Sequence, residues 1–232
     1  MNKTVIITGT RKGLGLLIAN YFLENGYFVY GCSRRLSSLD HKNYTHFIMD
    51  VSSETDVINL VRSVYKERGK IDILVNNAGV ASMNHFLLTP YETAKKLMNT
   101  NFMGTFLLSR EVSRFMIKQK YGRIINFTTV AVPLNLEGEL VYSSSKAAVE
   151  QLTKVLANEL GTFGVTVNAI GPTPIETDLI KNVPETKIQD LVSRQSIKRL
   201  GEFEDVLNVL KFFISDDSDY ITGQVIYLGG IN

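Results

Sequence analysis

Thr4-Val5-Ile6-Ile7-Thr8-Gly9-Thr10-Arg11-Lys12-Gly13-Leu14-Gly15 is the stretch that decides the fold. Its first five residues are β-branched, which suits a strand, and the apolar centre suits one buried on both faces. Glycines follow at 9, 13 and 15, and a helix-length amphipathic segment runs over 13–25 until Gly26, a residue that tolerates the left-handed backbone of a helix end. A glycine turn between a strand and a helix lets the backbone approach a pyrophosphate closely, and the helix N-terminus adds N–H groups and a positive field. Glycines alone often mark only a tight turn. At this place in the chain they point to dinucleotide binding, with Gly9, Arg11, Lys12, Gly13, Leu14 and Gly15 as the candidate residues.

The same alternation continues outward. Short apolar runs at 4–8, 27–32, 45–49, 71–75, 123–127, 165–170 and 224–228 read as strands. Helical patterns occupy 13–25, 53–68, 89–119 (broken near Asn101), 141–162 and 203–214. Ser53 precedes Glu54 and Asp56, a favourable start for a helix whose N-terminus is electropositive. This pattern predicts an α/β fold: a Rossmann-type, doubly wound parallel sheet of about seven strands with helices on both faces. All 232 residues fit one dinucleotide-binding and catalytic domain, and the ligand crevice should lie at the carboxyl ends of the strands. Residues 172–200, with prolines at 172, 174 and 184, break the alternation and suggest a lid over that crevice.

Composition narrows the function. A net charge of +2 gives no basic stripe for nucleic acid. No apolar run approaches the roughly 20 residues of a membrane span, and the N-terminal run is too short for a secretory leader, so a cytoplasmic protein is expected. The single cysteine, Cys32, cannot form an internal disulfide and reads as a buried, inert thiol. His41, His46 and His85 lack metal-ligand spacing, so no metal is assigned.

Five further motifs follow the glycine turn in order. They are Asn76-Asn77-Ala78-Gly79, Asn101-Phe102-Met103-Gly104, Tyr142-Ser143-Ser144-Ser145-Lys146, Asn168-Ala169-Ile170-Gly171-Pro172 and Thr222-Gly223-Gln224. With the spacing G-x-x-x-G-x-G, this set resembles the short-chain dehydrogenase/reductase family along essentially the whole chain. The resemblance implies hydride transfer between a nicotinamide and a carbonyl or alcohol carbon. Tyr142 would be the proton donor and acceptor. A free phenol has a pKa of about 10, and Lys146, one helical turn on, would favour the phenolate. The resemblance also has Lys146 hold the nicotinamide ribose and Asn101 hold a relay water. The family's third hydroxyl is a serine thirteen residues before the tyrosine; here that position is Thr129, which keeps the hydroxyl but stiffens χ1. Thr128 should point away, because strand side chains alternate.

The cofactor expected is NADP(H). No carboxylate follows the second strand to hold a ribose 2′-OH; Ser33-Arg34-Arg35 stands there instead, with Lys12 in the glycine turn, a set suited to a 2′-phosphate. The resemblance adds Asp50 and Val51 at the adenine, Asn77, Ala78 and Gly79 at the adenosine ribose, and Pro172, Ile175 and Thr177 beside the nicotinamide. It departs at Thr173, where the family has a glycine whose backbone angles a threonine cannot easily adopt.

Substrate contacts should come from 82–92, 131–141 and 172–200. Leu134, Leu136, Leu140 and Val141 suggest an apolar wall, unfavourable to a polar sugar. Members acting on 3-oxoacyl-carrier-protein thioesters match in length and motif order, and other ketone reductases fit equally. The competing reading is a cofactor-binding sensor or scaffold that has lost turnover, motivated by Thr129 and Thr173. The family also implies a homodimer or homotetramer built from the 101–119 and 141–162 helices and the last strand.

Overall fold

The computed structural model describes residues 3–175 and 183–231. Seven strands form one sheet: β1 (Thr4–Thr8), β2 (Phe28–Ser33), β3 (Tyr44–Ile48), β4 (Ile73–Asn76), β5 (Gly122–Phe127), β6 (Val165–Gly171) and β7 (Val225–Tyr227). Their order is β3-β2-β1-β4-β5-β6-β7, and every neighbouring pair is parallel. The sheet therefore grows one way from β1 to β3 and the other way from β4 to β7. The reversal between β1 and β4 opens the crevice of a doubly wound fold.

Strand residues alternate between two cores, as a two-residue period requires. Val5 and Ile7 of β1, Ile73 and Val75 of β4, and Ile125 of β5 join one cluster. It is completed by Ile18 and Phe22 of α1 (Gly13–Glu24) and by Val206, Leu210 and Phe213 of α8 (Phe203–Ile214). Ile6, Leu74 and Ile124 face the other way, against Val57, Leu60 and Val64 of α2 (Glu54–Arg68). Leu108, Val112 and Met116 of α4 (Gly104–Gln119) and Leu160 of α6 (Leu140–Leu160) close that second cluster. Burial on both faces explains why the strands read as unbroken apolar runs.

The helix ends follow local chemistry. The Ser53 hydroxyl accepts the Asp56 N–H at 3.3 Å and starts α2; Gly69 at φ 71° ends it. Between α3 (Tyr91–Met98) and α4, the break expected near Asn101 takes the form of a π-helical turn over Asn99–Met103, so the helix is continuous but carries an extra residue. Such turns re-aim a side chain; here Asn101 is carried into the interior, fully buried. Residues 183–200 contain a helix the sequence reading did not anticipate, α7 (Glu185–Arg194), seated through Leu191 on Val130 and Ile231. A short turn of helix, α5 (Ala131–Leu134), precedes α6. Thr177 lies outside the described residues, and no described helix is long and apolar enough to cross a membrane.

Candidate active site

One cleft of about 1050 Å³ runs along the carboxyl ends of the strands, from the glycine turn to α7. Gly9, Arg11, Lys12, Gly13, Leu14, Gly15, Ser33, Arg34, Arg35, Asp50, Val51, Asn77, Ala78, Gly79, Thr129, Tyr142, Lys146, Pro172 and Ile175 all line it. Asn101 does not; it sits behind the wall.

At the glycine end, close packing explains the glycines. Gly9 has φ 79°, and a Cβ on Gly15 would fall 2.4 Å from both Asn77 Nδ2 and the Gly9 carbonyl oxygen. Thr8 ties this turn to the loop after β4: its hydroxyl accepts the N–H groups of Asn77 (3.0 Å) and Ala78 (2.8 Å), and Asn77 Nδ2 donates to the Thr8 carbonyl at 2.9 Å. Asn77 thus buttresses the turn as well as lining the cleft. Beneath it, Cys32 is wholly buried, and burial pushes its thiol up to about 12, so it stays protonated.

A hydrogen-bonded chain that the sequence reading missed joins the glycine turn to the basic one. The Thr10 hydroxyl meets the Tyr44 hydroxyl at 2.8 Å, and Tyr44 meets His46 Nδ1 at 2.8 Å. His46 Nε2 then reaches Ser33 Oγ at 3.0 Å and the Arg35 carbonyl at 3.1 Å. A carbonyl can only accept, so Nε2 carries the proton and Nδ1 accepts from Tyr44. Gly31 makes room: a Cβ there would lie 2.3 Å from Thr10 Oγ1 and 2.4 Å from the Tyr44 oxygen. A glycine inside a strand was the one available signal, since it marks close approach. Asp50 faces the same turn. Burial pushes its carboxyl up, but the Ser52 N–H and hydroxyl and the charge of Arg34 outweigh burial and hold it below the usual range.

At the other end, the start of α6 presents Tyr142 and Lys146 on one face. Lys146 Nζ donates to the Phe127 carbonyl at 2.8 Å, and burial pulls its pKa down to about 8. Burial pushes Tyr142 up to about 12; a hydrogen bond with Thr129 works the other way, and the nearby charge of Glu139 adds to the rise. Thr129 is therefore within hydrogen-bond reach of Tyr142. Its hydroxyl also accepts the Ala131 N–H at 3.2 Å. Thr128 turns its hydroxyl away, donating to the buried carboxylate of Glu150, which Tyr227 also meets. The strand-end threonines are thus held from both sides.

Asn101 braces this arrangement. Its Oδ1 accepts the Val80 N–H, and its Nδ2 donates to the Val80 carbonyl and to Ser145 Oγ, each at 2.9 Å. The loop carrying Gly79 is thereby pinned to α6, so closely that a Cβ on Gly79 would touch both Asn101 Oδ1 and Lys146 Nζ at 3.4 Å.

At the far end, one departure from the family pattern is accommodated and one expectation changes. Thr173 needs no glycine-like backbone: among the described non-glycine residues only Lys120 and Asn135 have positive φ, and Gly201 opposite leaves space for the Thr173 hydroxyl. The apolar wall is smaller than expected. Of Leu134, Leu136, Leu140 and Val141 only Leu136 lines the cleft; Leu134 packs beside Val130 and Leu191, and Leu140 is 49% exposed. Glu137, Glu139, Lys187, Asp190 and Arg194 line this end together with the apolar side chains of Val130, Val183, Ile188 and Leu191. From 82–92, only Met83 does.

Residues 3–188 match the family model described as short chain dehydrogenase. The chain is 32% identical to the 3-oxoacyl-[acyl-carrier-protein] reductase FabG of Buchnera aphidicola subsp. Schizaphis graminum, over 98% of this chain and 96% of that protein. It is 35% identical to BbsD of Thauera aromatica, a (2S)-[(R)-hydroxy(phenyl)methyl]succinyl-CoA dehydrogenase subunit, over 99% of this chain and 96% of that protein. Among solved structures, ElxO with NADP bound superposes with a TM-score of 0.90 at 30% identity, covering 98% of this chain and 97% of that one. The aldohexose dehydrogenase AldT of Thermoplasma acidophilum does so with a TM-score of 0.89 at 27% identity, covering 99% and 94%.

Proposed function

Because this chain belongs to the short-chain dehydrogenase family, we propose that it is an NADP(H)-dependent oxidoreductase that reduces a carbonyl to an alcohol. The observation that carries this reading is the layout of one cleft: a glycine turn beside Ser33, Arg34 and Arg35 at one end, and Tyr142, Lys146 and Thr129 at the other. The basic end fits a 2′-phosphate, because guanidinium groups pair with phosphate by charge-assisted hydrogen bonds and no carboxylate ends β2. Gly9, Gly13 and Gly15 fit the pyrophosphate at the start of α1.

When bound, the reduced nicotinamide supplies a hydride to the carbonyl carbon. The protein's own residues do the rest. Thr129 donates to the carbonyl oxygen and orients it. Tyr142, protonated at neutral pH because burial pushes it up to about 12, gives its proton to the developing alkoxide. Lys146, anchored on the Phe127 carbonyl one helical turn from Tyr142, is the positive charge that this reading assigns to the phenolate. Oxidation must begin from the phenolate, so the oxidation rate should climb with pH through the alkaline range. The substrates within this reading include 3-oxoacyl thioesters and other ketones. Assembly into a homodimer or homotetramer through α4, α6 and β7 belongs to the same reading.

The test is NADPH oxidation across a panel of 3-oxoacyl thioesters, hydroxyketones, cyclic ketones and keto-sugars. Wild-type protein should consume at least one class, and Tyr142→Phe should lose about 10²–10⁴-fold in kcat while still binding NADPH. Equal rates in both proteins would refute the assignment of Tyr142.

A further inference from the structure

Glu139 stands three residues before Tyr142, at the N-cap of α6, and lines the cleft. An N-cap side chain ordinarily accepts a backbone N–H of the first turn. Glu139 makes no such bond, and its carboxyl has no hydrogen-bond or ion-pair partner among the described residues. Burial raises its pKa. Its negative charge also works against the chemistry, because it helps push Tyr142 up and so disfavours the phenolate that proton transfer leaves behind. A half-buried, unpartnered carboxylate beside a proton-transferring phenol is costly by itself. The cost is removed if the substrate brings a hydrogen-bond donor to it.

We infer that Glu139 reads the substrate, accepting a hydrogen bond from a hydroxyl carried on a carbon next to or near the reacting carbonyl, so that the preferred substrates are hydroxylated carbonyl compounds. This rests on the reductase reading above and narrows its substrate class. The surroundings agree. The far end of the cleft carries Lys187 and Arg194 together with Glu137 and Asp190, and Lys187 pairs with Glu137 at 3.4 Å. Met83, Val130, Ile188 and Leu191 line the same end, so the charged groups offer polar partners to a hydroxyl on a small ligand whose carbon skeleton packs on apolar side chains. The step itself balances as any carbonyl reduction does: one hydride and one proton join the C=O, and the substrate hydroxyl is retained.

The experiment compares kcat/KM, with NADPH, for three matched ketones: hydroxyacetone, butanone and protonated aminoacetone, with a 3-oxoacyl thioester alongside. Wild-type protein should favour hydroxyacetone over butanone by about ten- to hundredfold, the range for a hydrogen bond to a charged group. Glu139→Leu should erase that preference. Glu139→Gln, which keeps an acceptor oxygen, should retain part of it. In both variants the alkaline limb of the reduction profile should move to lower pH, because removing a negative charge lowers the Tyr142 pKa. An undiminished preference in Glu139→Leu, or a wild-type preference for butanone or the thioester, overturns the inference alone. A stronger preference for aminoacetone overturns the choice of a hydroxyl. No turnover of any carbonyl overturns the reductase reading together with it.

Discussion

The two ends of the cleft are built differently. At the glycine end, the loops are tied to one another: Thr8 to Asn77 and Ala78, Thr10 through Tyr44 and His46 to Ser33 and the Arg35 carbonyl. At the far end, among the described residues, the Glu139 carboxyl is unpartnered and Arg194 donates to a backbone carbonyl, that of Leu134 at 2.7 Å. Tyr142, Thr129 and Lys146 lie between. A ligand common to many enzymes can be met by a rigid site, because its shape never changes. A substrate that distinguishes one enzyme from another must be met by groups whose pairing is left to it. Rigid positioning lowers the ordering cost of binding, and unpaired buried groups reject ligands that fail to satisfy them.

That contrast can be broken from either end. The largest effect should come from the basic turn. Replacing Arg34 and Arg35 together with alanine removes charge-assisted contacts and should raise KM for NADPH about ten- to hundredfold, with little change for NADH; steady-state kinetics with both cofactors measures it. Loss on both cofactors alike would mean that the arginines hold the fold of the turn and not a phosphate.

A smaller effect is expected where the two ends meet. Thr129→Ala removes the hydrogen bond that lowers the Tyr142 pKa. kcat/KM should fall about tenfold, and the alkaline limb of the reduction profile should move to higher pH, opposite in sign to the Glu139 variants. Thr129→Ser should restore both, since it keeps the hydroxyl and frees χ1.

The smallest effect belongs to the strut. Tyr44→Phe cuts the chain between Thr10 and His46 and should raise KM for NADPH by only a few-fold, in keeping with about 1 kcal/mol for a neutral hydrogen bond. The change should fall on KM and not on kcat. An equal fall in kcat would show that the strut shapes the whole cleft and would dissolve the contrast drawn above.

The sequence is legible where structure is local. Two-faced burial makes β1, β4, β5 and β6 read as apolar runs, and the glycine turn is recognisable from its place between strand and helix. Strand alternation alone separates Thr129 from Thr128, and the structure places both as that rule says. Legibility ends where side-chain direction depends on distant segments. Tyr44 and His46 lie more than thirty residues from Thr10, and only Gly31 hinted that something approached β2. Four apolar residues between 134 and 141 looked like a wall, yet an αL turn at Asn135 (φ 50°) and the start of α6 decide which side chains enter the cleft, and Glu139 does so while Leu140 does not. The helix α7 escaped notice because it is short and mostly polar and follows a proline-broken stretch, although Ile188, Leu191 and Val192 do lie at helical spacing.

The most direct test of the central claim is isotope transfer. NADPH carrying deuterium at both hydrogens of the reactive carbon of the nicotinamide is incubated with the protein and whichever carbonyl the panel identifies, and the product is analysed by mass spectrometry and NMR. One deuterium per NADPH consumed, bound at the former carbonyl carbon and absent when Tyr142→Phe replaces the wild type under the same conditions, is the result predicted. NADPH consumed with no labelled alcohol formed, the transferred deuterium being lost to solvent, would contradict hydride transfer in this cleft.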